Sequence, residues 1–139
     1  MLDQDLINAK IRNIQNCLTS IKRYTKDFQL DTLEDMLVQD AVLINLERAC
    51  QSCSDIAAHV VSRKAFGVPL STKDAFFLLK NNKVISAEIA SAMMSMVGFR
   101  NIAVHDYGEL DMDIVRTIVK EHLQDFENFY KEILDFLKK

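Results

Sequence analysis

The stretch Asp5-Leu6-Ile7-Asn8-Ala9-Lys10-Ile11-Arg12-Asn13-Ile14-Gln15-Asn16-Cys17-Leu18-Thr19-Ser20-Ile21 sets the fold class. Ile7, Ile11, Ile14, Leu18 and Ile21 recur in steps of four and three, which draws one apolar stripe along four helical turns. The same period continues through the chain. Asp31 with Glu34 reads as a capping box opening a long second helix. Its stripe runs Leu33, Leu37, Ile44, Leu46, Cys50, Cys53, Ala57 and Val60. Gly67-Val68-Pro69 breaks the pattern, because proline cannot continue a helix and pushes its predecessor toward extended geometry. Ser71 with Asp74 starts a third helix carrying Ala75, Phe76, Leu78 and Leu79, and Asn81-Asn82 turns the chain. Ser86 caps a fourth helix through Ile89, Met93, Met96 and Val97. Asp106-Tyr107-Gly108 ends it, with Gly108 suited to the left-handed conformation found after helices. Asp111 and Asp113 oppose the dipole at the start of a last helix. The face of that helix is Val115, Ile118, Val119, Phe126, Phe129, Tyr130, Ile133 and Leu137. The expectation is an all-α bundle of about five helices in a single domain, residues 1–139.

Composition agrees. With 139 residues, three Gly and one Pro, the chain has a one-domain length and too few turn residues for a hairpin-rich β architecture. No apolar run reaches the ~18–20 residues of a membrane span, and the acidic start lacks the basic region of a signal peptide. A cytoplasmic location follows as an expectation. Net charge is −3, which excludes a bulk polycation for duplex nucleic acid. The charge is uneven, however: residues 60–85 carry +4 and residues 105–139 carry −4. The basic stretch is either a solvated face or a local surface for phosphate. Cys50 and Cys53 form a CxxC, but no second Cys/His pair stands at zinc-site spacing, and Cys17 is isolated. Their helical spacing with Ala57 and Val60 reads as core, in a reducing compartment.

Candidate chemical groups are few. There is no glycine-rich phosphate loop, nucleophile elbow or HExxH, and the acids form no evident dyad. His59 reads as a partly buried or surface residue rather than a ligand, and His122, among Glu121, Gln124 and Asp125, as solvated. One dense segment remains, Phe99-Arg100-Asn101-Ile102-Ala103-Val104-His105-Asp106-Tyr107-Gly108. It gathers a fixed cation, an amide, an imidazole, a carboxylate and a phenol. On a regular helix Arg100 and His105 stand about 140° apart, so they converge poorly within one chain. A kink, a helix end or a second copy must complete any site. The segment is therefore either a helix C-terminus with basic residues opposing the dipole, or a functional site.

Arg100, His105 and Tyr107 match R-x4-H-x-Y, and the segment resembles the motif of HEPN-domain proteins, HepT-type toxins in particular. Ala41-Val42-Leu43-Ile44-Asn45-Leu46-Glu47-Arg48-Ala49-Cys50 and Met96-Val97-Gly98-Phe99-Arg100-Asn101-Ile102-Ala103-Val104-His105-Asp106-Tyr107 follow the family pattern. The similarity spans roughly residues 30–135. It implies a HEPN-like homodimer acting as a metal-independent endoribonuclease toxin of a type VII-like toxin–antitoxin pair. Neither metal nor cofactor is implied. Such an enzyme needs a base for the ribose 2′-OH, an acid for the leaving 5′-oxygen and a cation for the phosphorane. His105 suits either proton role and Arg100 grips phosphate. A two-fold axis would supply second copies of both at one cleft. Asn101 is a supporting candidate that could bind phosphate or ribose, or serve a cap or a dimer contact. Asp106 either orients an imidazole or occupies the turn. Arg48 and Asp40 either line the cleft or form a surface ion pair. The resemblance further implies a minimal nucleotidyltransferase antitoxin as partner, transferring AMP to Tyr107 (AMPylation) and so silencing cleavage of the RNA substrate; otherwise Tyr107 is an interfacial tyrosine. The competing readings are a catalytically inactive HEPN dimer that binds a nucleotidyltransferase or a nucleotide, and a plain scaffold.

Overall fold

The computed structural model describes residues 2–105 and 110–139, with His105 described by its backbone alone. Helix α1 (Gln4–Tyr24) begins at Asp3, whose side chain accepts from the Leu6 amide at 3.1 Å. Ile7, Ile11, Ile14 and Ile21 are buried as the spacing predicts, but Cys17 takes the core position assigned to Leu18, which is only partly covered. The small thiol fits beside Cys50 and Cys53, within electrostatic reach of both.

The predicted capping box does not form. Leu30–Glu34 is instead a short 3-10 helix, stabilised by the Thr32 hydroxyl donating to the Gln29 carbonyl. Helix α2 (Met36–Arg63) starts after it, where the Asp35 carboxylate accepts from the Leu37 amide at 2.9 Å. That interruption resets the phase of the apolar stripe. Leu33 is buried, yet Leu37 is 80% exposed and Ile44 is 41% exposed. The face that enters the core is Val42, Leu43, Leu46, Ala49, Cys50, Cys53, Ile56, Ala57 and Val60. Helices α1 and α2 are joined by a Lys10–Asp55 ion pair at 2.8 Å and by the Asn13 amide donating to the Ser52 hydroxyl. His59 Nε2 accepts from the Asp3 amide at 3.0 Å, a fastening of the α1 start that gives this histidine a structural task.

After α2 the backbone turns through Ala65 (φ 55°) and Gly67 (φ 130°), the latter a conformation that glycine adopts without strain. Helix α3 (Thr72–Asn81) has Ser71 accepting from the Asp74 amide at 3.1 Å, while the Asp74 carboxylate accepts from the Leu70 amide. This reciprocal cap is close to the one expected. The chain reverses at Asn82 and Lys83 into helix α4 (Ala87–His105), with the Ser86 hydroxyl accepting from the Ile89 amide at 3.2 Å. Helix α5 (Met112–Thr117), capped by Asp111, passes through a wide π-type turn at Ile118–His122 into helix α6 (Leu123–Leu137). Because α5, that turn and α6 follow without a break, the described residues form five helical rods, and no strand occurs among them. The expected all-α bundle is the observed one.

Val115, Ile118, Val119, Phe126, Phe129 and Ile133 close the core, with Tyr130 and Leu137 packed at its edge. Phe76 meets Phe129 edge to face, ring centres 5.6 Å apart. No helix among the described residues is long and apolar enough to cross a membrane.

Candidate active site

Helix α4 carries the candidate residues Arg100, Asn101 and His105. Glu132 of α6 holds the start: its carboxylate accepts from the Ser86 amide at 2.6 Å and from the Ser86 hydroxyl at 3.2 Å. Buried Met93, Met96, Val97, Phe99 and Ala103 then fix the rotation of the helix against its neighbours. The Cys50 thiol approaches the Met96 carbonyl at 3.8 Å, a weak contact that marks where α2 and α4 touch.

Arg100 is half-buried on this seam. Burial pushes the Cys50 thiol up to about 12, and the positive charge of Arg100 partly opposes that rise, so the guanidinium lies close to α2. Its Nε is buried and has no hydrogen-bond partner among the described residues. A buried N–H left unpaired costs about 1–3 kcal/mol, and more on a charged group. A cation kept under those conditions is a candidate anion grip, since a phosphate oxygen would satisfy Nε and the outer nitrogens together.

Asn101 is exposed, and because α4 runs on to His105 it lies inside the helix, which removes the capping alternative. His105 is the last residue of α4; Asp106, Tyr107 and Gly108 lie outside the described residues. Arg48 and Asp40 are both exposed on α2. Eight positions separate them, roughly 12 Å along the axis, so they do not form the surface pair that was one reading of them. Cys17, Cys50 and Cys53 are free and buried, and burial raises all three thiols, so the CxxC belongs to the core. Among the described residues no group of three or more His, Cys, Asp or Glu gathers as a metal site would.

Two features carry no local signature in the sequence. Lys73, at the start of α3, lies over α4 with its ammonium 3.7 Å from where a Cβ on Gly98 would stand. The bare backbone at Gly98 leaves room for that approach. Gly98 and position 105 are seven residues apart, hence on one face of α4 and about two turns from each other. Lys73, a cation of the basic stretch, thus lies over the helix face on which position 105 falls. The second feature is His122, predicted to be solvated. It is only partly exposed, and its Nδ1 lies 3.1 Å from Asp125 Oδ2.

Comparison with known proteins gives this geometry a context. The family model described as "Ribonuclease HepT-like" matches residues 14–133. The chain is 42% identical over 125 residues to a Shewanella oneidensis protein named mRNA nuclease HepT, covering 90% of this chain and 93% of that one. It is 24% identical over 135 residues to the tRNA nuclease HepT of Aphanizomenon flos-aquae, covering 95% and 90%. Among solved structures, the tri-AMPylated Shewanella oneidensis HEPN toxin in complex with MNT antitoxin superposes with a TM-score of 0.88 at 41% identity, over 94% of this chain and 98% of that one.

Proposed function

The chain belongs to the HepT-like ribonuclease family, and from that premise we propose that it is a metal-independent endoribonuclease toxin of the cytoplasm, paired with a minimal nucleotidyltransferase antitoxin. The observation that carries the reading is Arg100: a half-buried guanidinium whose Nε has no partner among the described residues, five residues before His105 in a segment that ends in Tyr107.

In this reading His105 of one copy takes the proton of a ribose 2′-OH. The 2′-oxygen attacks the adjacent phosphorus, and Arg100 stabilises the extra negative charge on the non-bridging oxygens. His105 of the second copy gives a proton to the leaving 5′-oxygen. The products are a 2′,3′-cyclic phosphate and a free 5′-hydroxyl. A second copy answers the divergence of positions 100 and 105 on one helix. The surface for that pairing is the outward stripe of α2, where Leu37, Ala41 and Ile44 recur at helical spacing, with exposed Ile102 and Val104 near the end of α4.

Control acts at the same place. AMP joined to Tyr107 puts a phosphodiester charge and a base two residues from His105, where the substrate phosphate must sit. The structural relative named as a tri-AMPylated toxin with its antitoxin supports this regulation. The test is intact-mass spectrometry after incubation with the partner, ATP and magnesium. Wild-type protein should gain AMP and lose nuclease activity, while Tyr107→Phe should gain none and stay active. Equal modification of both proteins would overturn the acceptor assignment.

A further inference from the structure

A groove with a volume of about 430 Å³ lies between α4 and the α5–α6 rod. Met96 and Phe99 wall it on one side and Ile114 and Ile118 on the other, with the small Ala92 leaving room between them. Polar groups run along the α5–α6 wall, from Asp113 through Thr117 to His122 and Asp125, and two of them are carboxylates. If His122 Nδ1–H donates to Asp125, Nε2 is left as a bare acceptor. The Thr117 hydroxyl donates to the Asp113 carbonyl at 2.9 Å, which leaves its oxygen to accept. The Asp113 carboxylate takes Arg116 at 2.8 Å, and among the described residues neither Lys nor Arg lines the groove. On the α4 side, the exposed Ser95 hydroxyl can donate a proton. The wide π-type turn carries both Ile118 and His122 to this wall, and such turns recur at functional sites.

A phosphate or carboxylate entering here would meet acceptors and negative charge. A flat, neutral, apolar-faced group rich in N–H donors would find partners. We propose that the groove is a subsite for an amino-bearing nucleobase (adenine, cytosine or guanine), beside the phosphate grip of Arg100. This rests on the nuclease reading, because it is RNA or AMP bound at α4 that brings a base to this place. Phe99 and Arg100 are consecutive: one turns into the groove while the other lies toward α2. The base has two possible sources, a nucleotide of the RNA substrate or the adenine of AMP carried by Tyr107.

The experiment follows the His122 ring signals of the full chain by NMR while single nucleosides are added. Adenosine, cytidine and guanosine should shift them, and uridine, with a single base N–H, should bind about tenfold more weakly, the loss of one hydrogen bond. Inorganic phosphate should have no effect. Ser95→Trp, at an exposed position on the rim, should abolish the response. Asp125→Asn, which replaces an acceptor by an amide, should shift the preference toward uridine and supports the same conclusion independently. Two further arms separate the sources. If RNA supplies the base, Ser95→Trp raises KM on A- or C-rich RNA more than on U-rich RNA. If AMP supplies it, protein modified on Tyr107 no longer responds to added adenosine. Equal binding of uridine, a response to phosphate, or a response to spermidine without one to nucleosides would overturn the proposal. The titration needs no cleavage, so loss of nuclease activity with base binding intact contradicts only the nuclease reading. Cleavage without base binding contradicts only this one.

Discussion

The proposed chemistry centres on Arg100. Its Nε is buried without a partner among the described residues, and its charge is felt by the Cys50 thiol on α2. Arg100→Ala should therefore leave the fold intact and lower the cleavage rate by about 10²–10³, the range for a lost oxyanion donor. Arg100→Lys keeps the charge but not the planar fork, and should recover only part of that loss in the same single-turnover assay. Lys73 acts at longer range. On the proposed reading its ammonium, which lies over Gly98, meets a backbone phosphate of bound RNA. Lys73→Ala should weaken RNA binding and lower the slope of log K against log salt by about 0.7, the value for one single-strand phosphate contact. Filter binding across a salt series measures it; an unchanged slope would remove Lys73 from the RNA path. The three cysteines make the opposite case. Burial raises their thiols, Cys50 to about 12 and Cys53 well above its ordinary value. They should resist iodoacetamide in the native protein and react only on unfolding.

At the scale of elements, the start of α4 depends on Glu132, which reaches 46 residues back to Ser86 with both carboxylate oxygens. Glu132→Ala removes a charge-assisted pair and should lower stability by about 1.5–3 kcal/mol in urea unfolding. Ser71→Ala, which removes a purely local cap, should cost about 1 kcal/mol. The contrast explains what the sequence reveals. Ser71, Ser86 and Asp111 are legible as helix starts because a cap is made within three residues. Leu37 and Ile44 are misread because the period from Leu33 passes unbroken through a 3-10 helix that the spacing does not announce. The motif segment is legible as a dense run of chemistry, of which residues 99–105 lie on α4. The lysine over Gly98 and the groove at His122 are not, since each arises where two distant helices meet.

For the whole molecule, the α2 stripe of Leu37, Ala41 and Ile44 leaves apolar surface facing outward on the helix that Arg100 borders. Ile44→Asp sets a charge there without entering the core. It should give a folded monomer by sedimentation and an inactive nuclease, whereas a dimer of unchanged affinity would exclude this face as the interface. On the proposed mechanism, assembly and catalysis are one question, because a second His105 would complete the acid–base pair. The measurement that bears on it most directly is cleavage of end-labelled RNA by purified wild-type protein and His105→Ala, side by side in excess EDTA. The account predicts that wild type cuts with EDTA present and leaves 2′,3′-cyclic phosphate ends, and that His105→Ala is slower by about 10²–10⁴ while still folded. Loss of wild-type activity in EDTA, or normal cleavage by His105→Ala, would contradict it.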